Sequence, residues 1–349
     1  ATFVTQTKVS CVSPPLNTKN RALPVSVDVS LSINGIDFVG ISRRFTYMNQ
    51  VSVKRIAPKH GPVEGGTSIV VHGLHFVDSD ALVCRFGSTT VSAVYRSATE
   101  LVCVTPPSNT GSVSLEISSN KVDFSTNGIL FNYKMQSMVS SVSPTLGPMR
   151  GGTEVTVEGT GFVQGNAFHC RFGKNEAVLI PATWIAPTML RCTTPEMQKS
   201  GTVTVHVTSN HIDFTAPNTA SVFTFTEVAV ISRFSATSGP VIGNTTVQIE
   251  GQFSWPLPTT DLLRCRFGSK DTVAQFLSPG VIVCKTPPML ASGAVAVAIS
   301  LNGVNFVEAT SPFLYYKNVV LSSLSPLTGS VKGGTLVKIT GKHFLSETH

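Results

Sequence analysis

The chain has 349 residues, 13% of them charged, and a formal net charge of +7. Its 26 Lys and Arg residues are scattered singly, so the basic balance describes a solvated surface suited to acidic glycans or anionic neighbours, and nucleic acid is not expected as a partner. No apolar run approaches the ~18 residues that span a bilayer, so this stretch makes no direct membrane insertion, and the abundance of Val, Ser and Thr suits half-buried strands rather than helices.

Residues 1–50 open on a strand-like lead into Cys11, where Cys11 to Pro15 reads CVSPP. Leu23 to Tyr47 then supplies two strands about Asn34-Gly35, a hairpin signal because both residues tolerate positive φ. The CVSPP motif returns as CVTPP at Cys103, CTTPE at Cys192 and CKTPP at Cys284, so the chain opens inside a repeating unit, in the C-terminal part of a domain.

Residues 51–135 read as the first whole domain. Pro58 to Thr67, PKHGPVEGGT, is a proline-bent strand end, a glycine turn and the start of a new strand. It recurs at Pro144 to Thr153 and at Pro326 to Thr335, and in degraded form at Ser235 to Thr246, where Asn244 replaces the second glycine. An alternating strand ending in glycine follows each copy: SIVVHG, EVTVEG, TVQIEG and LVKITG. Strands are predicted at Val53–Ala57, Ser68–His72, Ala81–Phe86, Thr90–Tyr95, Glu100–Val104, Ser112–Ser118 and Ile129–Tyr133. Residues 136–227 and 228–317 repeat the order, with insertions near Asn166 and at Ser254 to Asp261. Residues 318–349 begin a further domain. A repeat of about 90 residues is the size of one β-sandwich. The expectation is therefore an all-β chain of tandem sandwiches. No Gly/Ser or Pro-rich tether separates them, which predicts an elongated, stiff rod with about 40 Å per domain.

Each whole domain carries one cysteine in CRFG and one before the prolines. The repeated register pairs Cys84 with Cys103, Cys170 with Cys192 and Cys265 with Cys284. Free thiols buried as small apolar residues are the alternative. Zinc is disfavoured, because two cysteines per domain without clustered histidines do not fill a tetrahedral site. Paired cysteines imply an oxidising compartment, hence a secreted protein or the extracellular face of a cell. Cys11 is left unpaired in this stretch, its partner expected in a CRFG strand upstream.

His72 and His75 have no matching histidines in the later repeats, so no metal site is assigned to them. The acid of NGIDF, NKVDF and NHIDF (Asp37, Asp123, Asp213) becomes Asn305 in NGVNF, which favours a turn hydrogen-bonder over a catalytic acid and leaves a weak calcium contact as the alternative. No GxSxG, HExxH, P-loop or paired-carboxylate arrangement appears, so neither an enzyme nor a cofactor is expected. Asn244-Thr245-Thr246 is the single N-glycosylation sequon, with an unmodified turn asparagine as its alternative. Loop Ser and Thr residues, many beside Pro, are open to O-linked sugars.

These residues resemble the immunoglobulin-like domain shared by plexins and transcription factors, called IPT or TIG. The pattern is met by Pro58, Gly65, Gly66, Gly73, Phe76, Cys84, Phe86, Gly87, Cys103, Pro106, Pro107, Phe131 and Tyr133. The resemblance implies an early-set sandwich. It also implies two contexts: a single domain beside a DNA-binding one in Rel-type transcription factors, or extracellular tandem arrays in plexins, Met-like receptors and fibrocystin-like proteins. Tandem copies with paired cysteines fit the second. Two departures are Gly243-Asn244, which puts that turn's geometry in question, and the closing stretch Phe223 to Thr226, which lacks the tyrosine.

Three functional classes compete. The first expectation is a non-enzymatic extracellular structural or adhesive rod that contacts copies of itself, glycans or surface proteins. The second is the stalk of a cell-surface receptor, and an enzyme is the third. The two partial end domains together lack little more than the CRFG stretch of one sandwich, which suggests a continuing array or head-to-tail filament, trimmed or disordered ends being the alternative.

Overall fold

A computed structural model describes residues 1–17, 23–173, 178–254 and 260–344; most of the insertion expected at Ser254 to Asp261 lies outside them. The described elements are all strands. They fall into two compact units, Ala1–Met135 and Gln136–His349.

In the first unit, β1 (Thr2–Thr5) and β2 (Lys8–Ser10) form one hairpin, and β3 (Val25–Ser32) pairs antiparallel with β4 (Phe38–Tyr47). The Asn34-Gly35 turn lies between β3 and β4, with Gly35 at φ +77°. The whole sandwich then uses β5 (Ser52–Ala57), β6 (His60–Pro62), β7 (Ser68–Leu74), β8 (Val83–Phe86), β9 (Thr89–Ser97), β10 (Glu100–Val104), β11 (Gly111–Ser118) and β12 (Ile129–Lys134). Their order is β5-β7-β10-β9-β8-β11-β12-β6. Strand β9 pairs with both β10 and β8, so one strand joins the two halves. The period of two explains the layers. Ile69, Val71, Leu101, Cys103 and Leu115 alternate with more exposed neighbours and, with Ile117, form the core.

Strand β6 was not expected. Where the sequence suggested only a bend and a turn, His60–Pro62 runs parallel to β12, with Gly61 opposite Tyr133. Three residues containing Gly and Pro show no alternation to read, and Pro62 lacks an N–H, which restricts it to an edge. The chain thereby crosses from β5 in one half to the edge of the other. A side chain at Gly61 would strike Thr67 and the Phe131 ring, so the crossing requires glycine.

The second unit repeats this plan twice. Its first sandwich splits into a four-stranded and a five-stranded sheet, because the counterpart of β9 is broken into Leu179–Pro181 and Thr183–Ala186. Pro181 cannot donate to the ladder, while Ala182 N still donates to Phe168 O at 2.9 Å, as Ala93 N does to Leu82 O and Ala274 N to Leu263 O in the unbroken strands. Its second sandwich has a seven-stranded and a three-stranded sheet, and the described chain closes on a hairpin of Val320–Ser325 with Lys338–Lys342.

Candidate functional site

The cysteines lie on strands from opposite halves. Cys84 on β8 and Cys103 on β10 form a disulfide with Cα atoms 6.4 Å apart. Cys170–Cys192 and Cys265–Cys284 do the same at 6.4 and 6.3 Å. Cys11 is exposed and unbonded. Beside each bridge the CRFG phenylalanine meets the closing aromatic pair edge to face. Phe86 lies 6.0 Å from Phe131, which lies 4.9 Å from Tyr133, and Phe267, Phe313 and Tyr315 repeat the chain at 5.5 and 5.0 Å.

The glycine turn and the threonine-proline motif are one hydrogen-bonded structure. Gly66 N donates to Thr105 O at 2.8 Å, Thr67 N to Thr105 Oγ1 at 3.0 Å, and Thr105 N to Thr67 O at 3.0 Å. The Tyr133 hydroxyl closes the corner by donating to Pro106 O at 2.8 Å, as Tyr315 does to Pro287 O at 2.9 Å. Burial pushes the Tyr133 phenol up to about 12 and also raises that of Tyr315. In the middle sandwich Phe225 takes the tyrosine's place and keeps the ring contact, 4.9 Å from Phe223, without a hydroxyl.

The two glycines of the turn have different duties. A Cβ on Gly65 would lie 2.6 Å from the Pro106 carbonyl carbon, whereas one on Gly66 meets nothing within 4 Å. Asn244 occupies the second position at φ 66°, and its N–H donates to Thr286 O at 2.8 Å. The turn therefore survives the exchange, and Asn244 is exposed.

The acids of the NGIDF-type loops face their own asparagines. Asn120 Oδ1 accepts from the N–H groups of Val122 and Asp123 at 3.0 and 2.8 Å, while its Nδ2 donates to Asp123 Oδ2 at 2.7 Å. Asn34 with Asp37, and Asn210 with Asp213, repeat this turn. His72 lies 3.7 Å from Glu100. Among the described residues no three His, Cys, Asp or Glu side chains gather as metal ligands.

At Asn305 the same loop takes part in a joint inside the second unit. Asn302 Nδ2 donates to Leu146 O at 2.9 Å and to Asn305 Oδ1 at 2.8 Å, and the Thr153 hydroxyl donates to Asn305 Oδ1 at 2.7 Å. Leu146 belongs by sequence to the middle sandwich yet is buried within the core cluster of the next one. The glycine-turn loop of one domain thus docks on the asparagine loop of its successor.

Sequence reading missed a third constellation. The arginine of each CRFG lies over the phenylalanine that follows the loop acid or its Asn305 counterpart: Arg85 over Phe124 at 3.6 Å, Arg171 over Phe214 at 3.6 Å and Arg266 over Phe306 at 3.5 Å. Recurrence of both residues at fixed places in every repeat was the available signal.

This geometry defines a class, a tandem array of disulfide-bridged immunoglobulin-like sandwiches. The chain belongs to the IPT/TIG domain family, which matches it at residues 52–133, 137–225, 229–315 and 320–349. Human Plexin-A4 is 24% identical over 318 residues, covering 84% of this chain and 16% of that protein. Human Fibrocystin-L is 25% identical over 306 residues, covering 86% of this chain and 7% of that protein. The chain thus spans less than a fifth of the length of these relatives. Among solved structures, the full extracellular region of Plexin A4 aligns with a TM-score of 0.39 and 18% identity, covering 93% of this chain and 28% of that one.

Proposed function

We propose that the chain is a non-enzymatic, extracellular stalk segment of a cell-surface receptor of the plexin or fibrocystin kind. The observation that carries this reading is the similarity to Plexin-A4 and Fibrocystin-L along most of the chain, which favours the stalk over the adhesive fibre expected first. Three disulfides support an oxidising, extracellular setting. The docked joint at Leu146 and Asn302 supports a spacer that resists bending, because a buried leucine and paired side chains must separate before the joint swings. In this reading the partners are neighbouring IPT domains, surface proteins and glycans, and Asn244 carries an N-linked sugar. Sedimentation velocity over a concentration series tests the stalk: an unchanging monomer is expected, and growth into filaments contradicts it. Peptide N-glycosidase treatment of secreted protein should shift the mass of the wild type and leave Asn244→Gln unchanged; an unshifted wild type rejects the glycan.

A further inference from the structure

The three arginine–phenylalanine stacks differ in what neutralises them. In the first sandwich Glu116, opposite Arg85, accepts from Arg85 Nε at 3.1 Å and also from its Nη2. In the last whole sandwich Asp271, opposite Arg266, takes both Nε at 2.6 Å and Nη2 at 3.0 Å. The carboxylate comes from a different neighbouring strand in each, but the fork it fills is the same.

Arg171 has neither arrangement. The residues opposite it are His206 on one side and Leu179 on the other. His206 is occupied, with Nδ1 2.8 Å from Thr215 O and Nε2 2.8 Å from Thr204 Oγ1. No ion pair joins Arg171 to a carboxylate among the described residues, and its buried Nε meets no hydrogen-bond acceptor. A guanidinium keeps its charge at every physiological pH, so this positive group is permanent. His169, two residues back on the same side of the strand, stacks on His211 with ring centroids 4.3 Å apart. Glu176 stands five residues after Arg171, as Asp271 does after Arg266, but lies outside the described residues. The longer hairpin puts Leu179 in register with Arg171.

We propose that Arg171, stacked on Phe214, is a docking site for an acidic side chain of a protein partner. The sister domains supply the chemistry: the same stacked guanidinium takes a glutamate in one and an aspartate in the other, and with Nε of Arg171 buried a partner's carboxylate meets its outer Nη edge. Phe214 holds the guanidinium plane in place, which reduces the side-chain freedom lost on binding. The proposal holds whether the array is a stalk or a fibre.

Binding of the whole 349-residue chain to immobilised poly-L-glutamate at low salt, with heparin as a parallel surface, tests it. Arg171→Gln should weaken polyglutamate binding about tenfold, the worth of one charged hydrogen-bonded contact. Arg171→Lys, which keeps the charge and loses the fork, should fall between. Leu179→Asp recreates the Arg266–Asp271 arrangement and should weaken binding as much as Arg171→Gln while leaving the arginine in place. Lys285→Gln, a charge-matched control elsewhere, should change binding less than about twofold. The proposal is overturned if Arg171→Gln does no more than the control, or if folded Leu179→Asp binds normally. It also fails if Arg171 governs heparin rather than polyglutamate binding, or if Glu176→Gln raises affinity several-fold, since the chain's own carboxylate then fills the fork.

Discussion

Gly65 and Gly66 are adjacent, both at positive φ, and interchangeable on paper, yet only the first has the Pro106 backbone against it. Gly65→Ala should destabilise its domain by on the order of 3 kcal/mol, from left-handed strain plus a clash with backbone that cannot retreat. Gly66→Asn should stay within about 1 kcal/mol, because asparagine tolerates that conformation and Asn244 already adopts it. Urea titration of the two variants checks the contrast; equal losses would reject the division of duties. Tyr133 gives a pH signature. Burial favours its neutral phenol in the folded chain, so this stability is full below the ordinary phenol value of about 10 and is lost as pH rises towards about 12. Alkaline unfolding followed by tyrosinate absorbance should show this loss in the wild type and less of it in Tyr133→Phe.

At the scale of elements, the bridges tie the two halves of each sandwich. Replacing Cys84 and Cys103 together by alanine should cost about 3 kcal/mol, given a loop of 19 residues, and should leave the other bridged domains' transitions in place. A single merged transition at an unchanged midpoint would contradict this. The strands around the cysteines were legible because alternation and turn residues are local signals: Glu100–Val104 falls where the pattern placed it. Parallel β6 was not legible, since its partner lies about seventy residues away and its own three residues carry no period. Distance along the chain also hid the Arg171–Phe214 pairing: both residues recur in every repeat, but recurrence alone does not say that they touch. Asn305 was legible as a turn residue. Its second role at the joint depends on Thr153, in another domain.

At the scale of the molecule, the joint inside the second unit docks one domain on the next through Leu146 and Asn302. Leu146→Ala should loosen the joint in the second unit by roughly 2–4 kcal/mol, so that calorimetry shows the two domains melting further apart than in the wild type; an unchanged separation would remove the leucine from that role. The most direct measurement of the stalk is small-angle X-ray scattering of the 349-residue chain in dilution series. The proposed stalk requires an elongated particle whose maximum dimension approaches the sum of its domains, at about 40 Å each, and does not change with concentration. A compact, folded-back particle, or one that lengthens with concentration, would contradict it.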